Sequence, residues 1–66
     1  HNIKRTHLEG AVMQVPRTER LVFLLHDVEG YEHSQIVKLL GLSLAESQQA
    51  LHQARLRVRE LVSEMN

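Results

Sequence analysis

Apolar positions recur along the chain at helical spacing, and no stretch alternates with the period of two that a half-buried strand requires. The clearest stripe lies towards the C-terminus. Leu44, Ser47, Leu51, Ala54, Val58, Leu61 and Met65 follow at steps of three and four, one helical face interrupted only by Ser47. A second stripe, Leu21, Leu24, Leu25 and Val28, predicts a helix over 17–29, with Phe23 off the stripe and the helix therefore covered on two sides. Ile36, Leu39 and Leu40 face inward from a short helix over 32–40. Leu8, Val12 and Met13 mark a weaker helix over 6–14, since Gly10 inside it costs about 1 kcal/mol against Ala.

The punctuation agrees with this division. Pro16 opens the second helix, where its missing N–H has no partner in any case. Gly30 and Gly41 stand where helices end and the left-handed conformation is wanted. Ser43 and Glu46 form an S-x-x-E capping box, which starts the last helix at Leu44 and carries it to about residue 64. The expected fold is all-α: a single domain over 1–66, a small bundle of three or four helices with a long C-terminal helix.

Composition narrows what such a bundle can do. The chain has 66 residues, is 42% hydrophobic and only 3% aromatic, so its core must be aliphatic. A domain this small buries only about 60% of its unfolded surface and has marginal stability. There is no cysteine, which excludes disulfides, thiol catalysis and Cys-ligated zinc. The longest apolar run, Leu21 to Leu25, is too short for a membrane span, and no signal-peptide pattern opens the chain. A soluble, cytoplasmic protein with no membrane partner is expected.

Candidate chemistry is thin. Of the five histidines no two stand at the i, i+4 spacing of a helical metal site, and H-E-x-x-H is absent. His26 and His52 read as partly buried or rim residues, and no metal or cofactor is expected. Asp27, Glu29 and Glu32 cluster at the Gly30 turn as a solvated acidic surface; a catalytic carboxylate pair would need a pocket that so short a chain hardly offers. Ser43 is a cap rather than a nucleophile. The chain is not expected to be an enzyme.

The unit from 32 to 64 is a helix, a Gly-Leu-Ser turn and a longer capped helix, the pattern of a helix-turn-helix. In such a unit the first helix braces the second, whose early turns enter a DNA major groove. The pattern also builds bundles that never meet DNA. Eight Lys and Arg balance eight Asp and Glu, so no overall basic field adds weight.

More specific is the run from Val15 to Tyr31, V-P-R-T-E-R-L-V-F-L-L-H-D-V-E-G-Y, with Ile36, Leu39-Leu40-Gly41-Leu42-Ser43, Leu51-His52-Gln53-Ala54-Arg55, Arg57 and Arg59-Glu60-Leu61. Over Leu8 to Val62 this resembles the C-terminal domain, region 4, of extracytoplasmic-function sigma factors. The resemblance implies a helix-turn-helix that reads the promoter minus-35 element and docks on the β flap of RNA polymerase core. It also implies a missing upstream sigma domain, hence a fragment of a longer chain, and an anti-sigma factor as a further partner.

The recognition helix departs from the family pattern. Gln48 stands where Lys or Arg is usual, Gln53 where a basic residue is common, and Ala50 where Arg or Gln is frequent; Glu46 would turn a carboxylate towards phosphates. Each missing phosphate contact removes one released counterion and part of the affinity.

The DNA-binding candidates are Gln48, Gln49, His52, Gln53, Arg55 and Arg59. Gln can pair with adenine through two hydrogen bonds, and equally it is a good helix former on a wet surface. Arg55 and Arg59 share a side and could clamp a phosphate, whereas Arg57 has Glu60 and Glu64 nearby as ion-pair partners. Leu56 faces away from the core and would form an apolar partner patch if Val22 or Phe23 were also exposed. Two other readings fit the residues: a sigma-like module that works only through protein partners, and a helix-turn-helix regulator that dimerises through its last helix.

Overall fold

The computed structural model describes residues 5–64, all of it helix and connecting turns. The elements are α1 (Arg5–Met13), α2 (Arg17–Phe23), a π turn (Leu24–Val28), α3 (His33–Leu40) and α4 (Leu44–Glu64). Each start and stop has a local cause. Arg20 donates from Nη1 to the Met13 carbonyl at 3.2 Å, satisfying one orphan acceptor at the end of α1. Pro16 caps α2, and its carbonyl accepts from the Arg20 N–H at 2.8 Å. Gly41, with φ of 69°, ends α3, and its N–H returns to the Val37 carbonyl at 2.9 Å.

α4 is the spine on which α1, α2 and α3 all pack, and the molecule is elongated, 35 × 17 × 17 Å. Two aliphatic clusters lie along it. One joins Val12 and Val15 to Ala54 and Val58; the other joins Val22 and Ile36 to Ala50 and Leu51. Phe23 is half-buried and touches both. Each fully buried Val or Ile contributes about 1.5–3 kcal/mol, which is substantial in so small a domain.

The inner face of α4 follows its stripe through Ser47, Leu51, Ala54 and Val58, all buried, with Leu61 half-buried. Its start does not. Leu44 is more than half exposed, because it precedes Ser47, the first residue that another helix covers. Met65 and the side chain of Leu8 lie outside the described residues.

Three other apolar expectations are corrected. Leu39 is more than half exposed. The short α3 makes a one-sided contact through His33, Ile36, Val37 and Leu40, an i, i+3, i+4, i+7 set that leaves Leu39 one step past it. Met13 is likewise more than half exposed at the end of α1, while Ala11 and Val12 are buried. In the second helix the most buried residue is Val22, and Val28 faces solvent.

The π turn explains Val28. The Glu29 N–H donates to the Leu24 carbonyl at 2.9 Å, five residues back rather than four. The extra residue breaks the 3.6-residue period on which the stripe relied, so Val28 swings outward. Because Val22 is in the core, Leu56 does not join it in an apolar patch; Leu56 stands on α4 without that neighbour.

Candidate nucleic-acid interface

The interface begins at the turn. Glu46 N–H donates to Ser43 Oγ at 3.0 Å, and Ser43 N–H donates to Glu46 Oε1 at 2.8 Å, so the capping box is closed from both sides. The Ser43 backbone N–H first, and the Ser43 side chain after it, hold the Glu46 carboxyl below its ordinary value. Glu46 is therefore turned back on the cap rather than aimed outward at a phosphate.

Beyond the cap, helical periodicity divides the wet side of α4 into a crest and two flanks. The crest carries Ala45, Gln49, His52, Leu56 and Arg59, all exposed. One flank holds Gln48 and, seven residues on, Arg55, which reaches the π turn. There Arg55 donates from Nε to Asp27 Oδ2 at 2.8 Å and from Nη2 to Asp27 Oδ1 at 2.7 Å. The opposite flank holds Gln53 and Arg57, and Arg57 Nε donates to Glu19 Oε1 of α2 at 2.6 Å. Gln53 is half-buried and lines an open groove with Thr18, Leu42 and Gln49.

Asp27 has a second partner. His26 Nδ1 lies 2.8 Å from Asp27 Oδ1, and since an ionised carboxylate only accepts, that nitrogen carries the proton. Arg55 first, and then His26, hold the Asp27 carboxyl down at about 2 from an ordinary 3.8, against a partial burial that works the other way. The pairing raises Arg55 in turn, through its hydrogen bonds to Asp27. His26 stacks on His33 with ring centroids 4.7 Å apart, and His33 Nδ1 shares a 2.8 Å hydrogen bond with the buried Ser47 Oγ of α4.

A short helix, a left-handed glycine turn and a doubly capped long helix with a polar outer crest make up a helix-turn-helix. A family model described as sigma-70, region 4, matches residues 6–58. The chain belongs to the sigma-70 region 4 family. No curated protein and no solved structure matches it.

Region 4 is the promoter-recognition domain of sigma factors, a DNA-binding transcription module and not a catalytic family. In this region 4 domain the candidate residues spread over the wet side of α4. Gln48, His52, Arg55 and Arg59 follow at i, i+4, i+7 and i+11 along one face, Gln49 lies across the crest from them, and Gln53 lies on the opposite flank. Arg59 is exposed and has no ion-pair partner among the described residues. Ala50 does not belong to the reading surface: it is buried against Val22, Ile36 and Leu51. Arg57 pairs with Glu19 rather than with Glu60 or Glu64, because it points along the flank that faces α2.

The partners of these groups are not legible in the sequence: Asp27 for Arg55, Glu19 for Arg57 and His33 for Ser47. Only Ser47 gave a signal, as a hydroxyl in an apolar stripe that must find a partner once buried. Among the described residues no group of three or more His, Cys, Asp or Glu is disposed to hold a metal ion. No helix of the described residues is long and apolar enough to cross a membrane.

Proposed function

We propose that this region 4 domain is the C-terminal part of an extracytoplasmic-function sigma factor, working in the cytoplasm as part of a longer chain. In this reading α4 enters the major groove of the minus-35 element, and a separate face docks on the β flap of RNA polymerase core or on an anti-sigma factor. The carrying observation is the capped start of α4, followed within its first turns by exposed Gln48, Gln49 and His52. Those early turns are the part of a recognition helix that reaches base edges. Arg59 lies two turns beyond His52 and meets phosphate only.

Binding-site selection with the whole parent protein tests this division of labour. Gln49→Ala is expected to relax preference at one or two base pairs, by about 1–3 kcal/mol of discrimination for a bidentate pair. Arg59→Ala is expected to weaken all sequences about equally. Enrichment profiles unchanged after replacing both Gln48 and Gln49 by Ala would remove base reading from this helix.

A second reading has its own support. Arg55 and Arg57 are both drawn back into ion pairs with the bundle, which leaves a crest poor in cations. That suits a sigma-like module acting through protein partners alone. It predicts no salt-dependent affinity for duplex DNA together with retained binding to polymerase core.

A further inference from the structure

Arg55 projects from the DNA-facing helix, yet its guanidinium is already engaged on a carboxylate 28 positions earlier in the chain. The two N–H groups that grip Asp27 are a pair that would form the same fork on a phosphate. The Asp27 side chain is 24% exposed and that of Arg55 is 50% exposed, so the acid is sheltered while the arginine lies at the surface. Asp27 is also anchored from behind. His26 bonds its Oδ1, His26 stacks on His33, and His33 bonds Ser47 on α4. Of the two partners the long arginine side chain is the one that can move.

We propose that Asp27 is a positioning residue that holds Arg55 back from the DNA backbone, so that carboxylate and phosphate compete for one guanidinium. The proposal rests on the reading of α4 as the DNA-facing helix. An ion pair this exposed is weak enough to be exchanged. Contact with phosphate releases a counterion, so low salt favours the exchange. While the pair is closed, Arg55 offers DNA almost no net charge, and any phosphate near it also meets Asp27.

Asp27→Asn in the full chain tests this, with affinity for a random-sequence duplex followed by fluorescence anisotropy over a salt series. The variant is expected to bind more tightly, with a salt slope steeper by up to roughly 0.9, the part of one phosphate contact that Asp27 withholds in the parent. Adding Arg55→Gln should abolish that increase, leaving a slope no steeper than that of the parent. Glu29→Gln removes another carboxylate at the same turn, one without contact to Arg55, and should leave the slope unchanged. Should Asp27→Asn fail to fold by circular dichroism, the parent's own Arg55 Nε–Hε NMR signal is expected to shift on addition of duplex at low salt.

Binding by Asp27→Asn that is unchanged or weaker, an equal gain from Glu29→Gln, or an Arg55 signal indifferent to DNA would each overturn the proposal. Arg59→Ala separates this failure from that of the underlying reading. If Arg59→Ala weakens binding while Asp27→Asn does nothing, the competition is wrong and α4 still faces DNA. If no variant alters binding, or none binds, both fall.

Discussion

Ser47 is fully buried, and its hydroxyl is satisfied by a half-buried imidazole from α3 at 2.8 Å. Ser47→Ala should cost about 1–2 kcal/mol, since it leaves the His33 Nδ1 without its partner in a partly dry site. Urea denaturation of the two proteins measures it, and a midpoint unchanged from the parent would show that water replaces the hydroxyl. At this scale the sequence was legible only in part. The period of α4 marked Ser47 as inward-facing and Gln49 and His52 as outward-facing, because one helix repeats on itself. The partners of Arg55 and Arg57 lie 28 and 38 positions away, on elements whose rotation no local pattern reports.

Helix ends are decided by a few neighbouring groups, and they were the most readable feature of the chain. The Ser43–Glu46 box and the Gly41 stop follow from hydrogen bonds spanning at most five residues. The π turn could not be read in the same way. Its extra residue changes which side chains point inward, and apolar spacing cannot separate it from a regular helix when Leu21, Leu24 and Leu25 are all half-buried. α1 is the element most open to improvement. Gly10 is exposed within it, and a Cβ there would meet nothing within 4 Å. Gly10→Ala is therefore expected to raise stability by about 0.5–1 kcal/mol through lower backbone entropy in the unfolded chain. A thermal melt shows the gain, and a lower Tm would mean that α1 needs the freedom of glycine.

At the scale of the molecule, acid should act through the Asp27 and Glu46 carboxyls. Asp27, held down to about 2, contributes stability that is complete above its ordinary 3.8 and is lost as pH falls from about 4 towards 2. After discounting for the solvent around Arg55, that amounts to about 1 kcal/mol. Glu46 is lowered as well and acts in the same direction. Melting temperatures recorded between pH 5 and 2 should therefore fall further for the parent than for Asp27→Asn, and parallel curves would show that the pair adds nothing to the fold.

The two aliphatic clusters strung along α4 have a dynamic consequence. Among the described residues, the set of Val12, Val15, Ala54 and Val58 shares with the set of Val22, Ile36, Ala50 and Leu51 only Phe23 and the backbone of α4. Detaching α1 would uncover the first set while leaving the second closed. The cheapest excursion of this domain is then a partial opening at one end, not a loss of the whole fold. During it the first turns of α4, with Gln48, Gln49 and His52, stay seated on α2 and α3. Substitutions around α1 can thus tune how often the far end breathes without loosening the turn that presents those side chains.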